Sequence, residues 1–306
     1  MKEPCAFELL PPPSFSDAQI DECRKDDNFL PIFFGIQQAT IVAVITCAQL
    51  RPESPGIKEI KKVHFAVLAG LLNRCCRLSL AVNNLGAKGL FGETTRLLMR
   101  CIIESSIKAR CLIKKDSDDY FRIFFADGLK KEVRLRDEIR KNIENRGGDT
   151  LVIEDRMMSF SQQFFEIPQL SEEEVKKAKP LPDLGSMCRD LELNDIFYTV
   201  VQRIGSHSVH GTWPDLCTYY LKFEEGTFHV EDHNARMSEN ELLYTCDFML
   251  VAADEFLVYV GDSEVEIGRA RERIRQHRDL VSRFHEIMWY RDQPNYANKA
   301  REDNSE

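Results

Sequence analysis

The chain lacks several of the short signatures that announce a chemistry. It has no Gly-x-x-x-x-Gly-Lys loop, so it offers no phosphate cradle of the nucleotide-hydrolase kind. Its ten cysteines form no Cys-x-x-Cys pair, which argues against a zinc knuckle and for reduced thiols in a cytoplasmic protein. No Glu-x-x-His pair occurs, and carboxylate-bridged metal sites in helical bundles need two of them. Ser206 has no glycine-flanked elbow, the setting of a hydrolase nucleophile. Positive charge is also in deficit: a net charge of -9 and a pI near 5.4 argue against sequence-blind adhesion to nucleic acid, though not against a local basic cleft. The longest apolar stretch, Ala39 to Leu50, is shorter than the ~20 residues a membrane span needs. Met-Lys-Glu-Pro-Cys-Ala-Phe-Glu-Leu-Leu-Pro-Pro-Pro lacks the apolar run of a signal peptide. A cytoplasmic protein without a membrane anchor is expected.

What the chain does have is helical periodicity. Its 306 residues, 43% hydrophobic and 30% charged, suffice for one large core or two small ones. Residues 1–30 are Pro-rich and then acidic, an arm draped on the body or partly disordered. A first helix over Ile32–Leu50 stops at Arg51-Pro-Glu-Ser-Pro-Gly. Ile57–Leu85 and Leu90–Lys114 follow with apolar residues three and four apart, the spacing of core helices. Arg100 and Glu104 interrupt the second.

Ser117 caps a charged helix over 116–146 that reads as a solvated face laced with ion pairs. Helices over 150–165 and 171–179 complete a charged insertion at 116–185. After residue 213, Tyr219–Val230 alternates around Glu-Glu-Gly, a hairpin. Ser238 and Glu241 form a capping box for a helix to Val260. A last helix, Ser263–Trp289, carries Arg269, Arg271, Arg273, Arg275 and Arg278 spread around a solvated surface. The organisation expected is an arm and first helix at 1–56, a helical body at 57–262 and a C-terminal helix with frayed tail at 263–306.

The candidate chemistry lies in 194–213. Asn194 or Asp195 caps a helix whose apolar face is Ile196, Phe197, Val200, Val201 and Ile204, and Gly211 with Pro214 ends it. Arg203 and His210, seven apart, fall in register after two turns, with His207 between them and Ser206 at the border. Imidazole titrates near neutrality, so it can take a proton from a 2'-hydroxyl and return one to a leaving oxygen. Guanidinium stays charged and binds phosphate oxygens as a fork, which suits it to stabilising a phosphorane. Glu104, from a neighbouring core helix, would orient Arg203 or a histidine.

Three other readings of the same residues stand beside this one. They are a buried Arg203–Glu104 salt bridge with core histidines, a metal site of His207 and His210 joined by Glu104 or His64, and a bundle that binds without cleaving.

The run Arg203-Ile-Gly-Ser-His-Ser-Val-His210 resembles the Arg-x(4 to 6)-His signature of HEPN domains, the higher eukaryote and prokaryote nucleotide-binding superfamily. The longer pattern, Arg100-x-x-x-Glu104 followed by a charged insertion and Arg203-x-x-Ser206-x-x-Val209-His210-Gly211, resembles a bacterial family of uncharacterised helical domains over roughly residues 60–260. The resemblance implies an all-α HEPN-like bundle with a charged insertion, one short β-hairpin and an extra C-terminal helix. It further implies a ribonuclease that needs no cofactor or metal, with Arg203 and His210 at the active site and Glu104 in support. RNA as substrate, a homodimer with facing Arg/His helices, and a role in phage defence or as a toxin held by an antitoxin partner also follow from it. Ile204 departs from the polar residue that active HEPN nucleases usually carry after the arginine.

Overall fold

The computed structural model describes residues 8–194, 198–199, 209–231, 233–262 and 264–292. Eleven helices and one antiparallel hairpin are present among them, so the all-α class with a single short strand pair holds. Four long helices form the body: α2 (Leu30–Ala48), α3 (Lys62–Gly86), α4 (Gly92–Lys115) and α10 (Glu239–Val260), the last so numbered because five described helices lie between it and α4. They pack as a ring in that order, with α10 closing onto α2.

The directions follow from the side-chain pairs. Arg96–Glu241 and Arg110–Glu255 both join residues 145 apart, so α4 and α10 run parallel. Cys75 lies against Ile102, and Arg74 against Ser105, so α3 opposes α4. Cys76 reaches the Ile41 carbonyl, and Asn83 reaches Gln37, so α3 opposes α2 as well.

The ring forms because each helix carries a stripe at three and four spacing. On α3 the buried positions include Leu68, Leu72, Cys75, Ser79, Val82 and Gly86, one continuous face. Removing a branched side chain such as Leu72 from it should cost about 2–5 kcal/mol. Small residues set the spacing at the end of the stripe, since a Cβ on Gly86 would overlap Met237 and press on Phe34. Both α2 and α3 have the length and hydropathy of a membrane span. The apolar helix thus runs further than Ala39–Leu50, and it serves here as a wall of the bundle core.

The N-terminal segment is more ordered than its composition predicts. Ser16 and Gln19 form a capping box for α1 (Asp17–Lys25), a helix the sequence reading missed behind the Pro-rich run. Leu9 is buried, the Leu10 carbonyl is within 3.1 Å of His277 Nε2, and Phe15 packs edge-on against Phe284. Residues 57–61, expected to begin a helix, instead lie extended beside the turn after α10, with Lys58 N–H donating to the Val260 carbonyl.

Helix α5 (Asp118–Asn145), capped by Ser117, runs on from α4. With α6 (Val152–Glu166) and α7 (Glu172–Lys177) it has a small core of its own: Ala126, Leu129, Val133, Phe165, Leu170 and Val175. The late charges of α5 are not merely solvated. Arg136 is buried over the Phe165 ring and, with Arg140, binds Glu172 on α7.

Helix α11 (Glu264–Asp292) corrects a second reading of surface charge. Arg271 pairs with Asp254 and Arg278 with Asp247, each seven residues on along one helix and seven back along the other. These two arginines therefore tie α11 antiparallel to α10, while Arg275 pairs within its own helix.

Candidate functional site

The segment that carries the signature is anchored at both ends. Upstream, α8 (Leu184–Asp190), capped by the Asp183 carboxylate on Ser186 N–H at 2.8 Å, sits on α4. Met187 and Cys188 fill a pocket of Ile103, Ile107, Cys111 and Phe248, joined by Tyr198. Gly185 lets Tyr198 approach, because a Cβ there would meet the ring at 2.8 Å. Downstream, α9 (Trp213–Tyr219) leads into β1 (Leu221–Glu224) and β2 (Thr227–Val230). Pro214 lies in the first turn of α9, so it starts a new helix and does not merely stop the previous one. The hairpin falls where the alternation placed it, turning through Glu225 and Gly226 at φ 51° and 79°, the left-handed pair of a type I′ turn.

Of the predicted site residues, Arg203, Ser206 and His207 lie outside the described residues, as do Asp195, Ile204 and Gly205. His210 is described: it is exposed in a final helical turn, followed by Gly211 at φ 54°. Glu104 is half-buried on α4, and its carboxylate accepts from Lys108 Nζ at 2.8 Å, one turn on. Among the described residues no hydrogen bond joins Glu104 to His210. His64, weighed as a metal ligand, stacks on Phe121 at 3.7 Å and faces Asp118 at 3.5 Å. Its imidazole is held below the usual range by burial, against the pull of Asp118.

The end of the ring that receives α9 has an electrostatic logic the sequence did not disclose. Because α2, α4 and α10 are mutually parallel, their N-termini gather there and present positive dipole ends. Carboxylates answer them, Glu93 buried and Glu239 and Glu241 half-buried. Glu93 accepts from Ala235 N–H at 3.1 Å, Glu239 accepts from Phe29 N–H at 2.6 Å, and Glu241 binds Arg96. Burial raises the Glu241 carboxyl above its usual range, with Arg96 opposing. This also corrects the capping box: Ser238 accepts from Glu241 N–H, but the Glu241 side chain serves Arg96.

The Arg96 guanidinium lies over the Tyr219 ring at 5.4 Å and so clamps the end of α9 to α4. The Tyr220 phenol is pushed up by burial and by the nearby Asp215 and Glu93 carboxylates. At the same end a cavity of about 650 Å³ is lined by Asn28, Phe34, Lys88, Arg236, Met237 and Arg291, among others. Glu93, Arg96 and this cavity went unnoticed in the sequence, and Glu241 was read only as a capping residue. The equal 14-residue steps from Arg96 to Arg110 and from Glu241 to Glu255 were a signal, readable only once α4 and α10 are known to be parallel neighbours.

Just past His210, the outer surface of α9 and the hairpin is aromatic. Trp213 packs on Phe228 at 5.6 Å and Phe223 on Phe228 at 4.8 Å, and all three are exposed. Lys222 and His233 both contact Glu231, which they hold down at about 2.

An all-helical ring whose signature segment lies on the long connection from α4 to α10, ending in an exposed histidine, defines a helical-bundle domain. Within that class the chain belongs to a family of unknown function, DUF5677, which matches residues 65–228. The match runs from α3 to β2 and leaves α2, α10 and α11 outside, short of the 60–260 span expected. No curated protein and no solved structure matches the chain.

Proposed function

We propose that this protein is a metal-independent endoribonuclease of the HEPN type, active in the cytoplasm as a homodimer. In this reading an imidazole, that of His210 with His207 as helper, takes the proton from a 2'-hydroxyl as its oxygen attacks the adjacent phosphorus. The P–O5' bond then breaks, the leaving 5'-oxygen receives a proton from imidazolium, and a 2',3'-cyclic phosphate remains. Arg203 binds the non-bridging oxygens as charge builds on the phosphorane. Ser206 borders the site, and Glu104 supports it from α4.

The observation that carries the reading is the setting of His210. It is an exposed imidazole at a helix end, three residues before an exposed Trp213–Phe228–Phe223 cluster. Aromatic faces of this kind stack unpaired bases, at about 1–3 kcal/mol per base. A phage-defence or toxin role with an antitoxin partner is the setting this activity would fit.

The test is cleavage of single-stranded RNA by the full chain in EDTA, beside His210→Ala and Arg203→Ala. Loss of at least about 10²-fold in each variant is expected. Retained activity in either variant, or no cleavage in EDTA by the wild type, overturns the proposal. The acids Glu224, Glu225 and Glu231 around the aromatic cluster favour a second reading, a bundle that binds a partner without cleaving. Tight binding of RNA or protein with no cleavage would select it.

A further inference from the structure

The cavity at the α9 end of the ring is walled by four stretches far apart in sequence: the start of α2, the turn from α3 to α4, the segment leading into α10, and Arg291 near the end of α11. The turn is Gly86-Ala87-Lys88-Gly89, closed by Gly89 N–H on the Gly86 carbonyl at 2.7 Å, with Gly89 at φ 71°. Gly86 lets Met237 and Phe34 close in under the turn, and with Leu30 they give the cavity an apolar wall. At about 650 Å³ the space lies within the roughly 300–1,000 Å³ of small-molecule sites, which combine apolar walls with a few placed polar groups.

The charges of the lining are unevenly matched. It holds three cations, Lys88, Arg236 and Arg291, and two carboxylates, Asp27 and Glu239. Arg291 takes both acids, at 2.6 Å from Glu239 and 3.5 Å from Asp27. The first donors of α2 are also taken, since Phe29 N–H donates to Glu239 and Leu30 N–H to the Asn28 side chain. An anion here is therefore a matter for side chains. Lys88 and Arg236 are exposed, and neither has an acidic partner among the described residues. Two cations left over at one cavity, in a chain of net charge -9, are the counterpart of an anion.

A phosphate monoester carries about two negative charges at neutral pH, the number these two side chains leave unanswered. Guanidinium grips phosphate oxygens as a fork, and ammonium adds a point charge. The Phe34 ring and the Met237 thioether favour an aromatic surface against them. We propose that the cavity binds a phosphate monoester with an aromatic body, its phosphate between Lys88 and Arg236 and its ring against Phe34 and Met237. The ligand then bridges the α3–α4 turn to the segment leading into α10, which the Met237 N–H to Gly89 carbonyl bond already joins at 3.1 Å.

Naphthyl phosphate is the probe, with naphthol and inorganic phosphate as competitors that each carry half of it. Fluorescence titration of the full chain should show saturable binding of naphthyl phosphate at least about tenfold tighter than of either competitor, the worth of one charge-assisted hydrogen bond. Lys88→Ala and Arg236→Ala should each weaken it about tenfold or more. Ala87→Phe, on the cavity wall, should block binding by bulk while both cations remain. Arg203→Ala should leave binding unchanged, which separates the cavity from a phosphate held at the signature segment. Bound probe should also slow hydrogen exchange at the Met237 amide. Absence of saturable binding, binding that survives Lys88→Ala or Ala87→Phe, or binding lost in Arg203→Ala would each overturn the proposal. None of these results would count against the nuclease reading.

Discussion

Replacing Gly92 by alanine should detach the strap that crosses the start of α4. A Cβ at Gly92 would overlap the Arg236 carbonyl, a backbone atom with no rotamer to escape into. The strap must therefore lift, and three hydrogen bonds depend on it: Gly92 N–H to the Ala235 carbonyl at 2.9 Å, Ala235 N–H to Glu93 at 3.1 Å, and Met237 N–H to the Gly89 carbonyl at 3.1 Å. Each is worth about 1 kcal/mol net, and more where the Glu93 carboxylate is left buried without its donor. Overpacking against backbone adds roughly 1–3 kcal/mol. A loss on the order of 3–5 kcal/mol is expected, a large share of the 5–15 kcal/mol that typically holds a domain.

If the strap opens alone, the cost is capped by its own docking energy and the global melt moves little. Two measurements together cover both cases, thermal unfolding and hydrogen exchange at the Gly92 site, Ala235 and Met237. Either the melting temperature falls by several degrees or these amides lose protection while α3 keeps its own. An unchanged melt with unchanged protection would refute the steric argument, and with it the account of how the α9–hairpin segment is held to α4.

Glu172→Gln should loosen the α5–α7 arm by about 1.5–3 kcal/mol, the worth of hydrogen bonds to charged groups, because it removes the carboxylate that Arg140 and Arg136 share. Hydrogen bonding by Arg140 holds the Glu172 carboxyl below its usual range. Its contribution is thus fully present above the unfolded value near 4.3 and is lost as pH falls through the lower folded one. Melts of wild type and variant should begin to approach each other as pH falls past the unfolded value and converge only below the lowered folded one, and a gap that persists in strong acid would contradict this. Thiol labelling at pH 8 should mark Cys217, which is exposed, well before Cys75, whose thiol burial pushes up to about 11, and Cys111, pushed up to about 12. Early labelling of Cys75 or Cys111 would show that the ring opens more readily than its packing implies.

Much of the fold was legible because periodicity reports packing directly. The stripe on α3 and the Ser117 and Ser238 caps are local facts, and their elements appear within a few residues of where the pattern put them. Most of the misses share one cause, the dependence of a side chain's role on a partner distant in sequence. Arg271 and Arg278 looked solvated because Asp254 and Asp247 belong to another helix. Arg136 looked like surface until α7 brought Glu172 to it. The Ser16–Gln19 box is a local signal, but a Pro-rich run masked it. Of the candidate site, His210 and Glu104 were locatable as residues on helices, and the Glu104–Lys108 pair is a local contact one turn apart; that Trp213 packs on Phe228 of the hairpin is a tertiary fact. The carboxylates Glu93, Glu239 and Glu241 answer three helix dipoles whose convergence only topology reveals.

The parallel relation of α4 and α10 has a consequence for how the chain acquires its shape. Helices α2, α3 and α4 follow one another up and down through connections far shorter than the one from α4 to α10, so they can meet early. The fourth wall arrives only after residues 116–238 have been spanned. Closing a loop of that length costs on the order of 4 kcal/mol in chain entropy before any contact repays it, and such late, non-local steps slow folding. During synthesis the three-helix half must therefore wait, with its apolar trough open, until the signature-bearing excursion is complete. Damage to that excursion would be felt first as a failure of yield, before any effect on chemistry is measured.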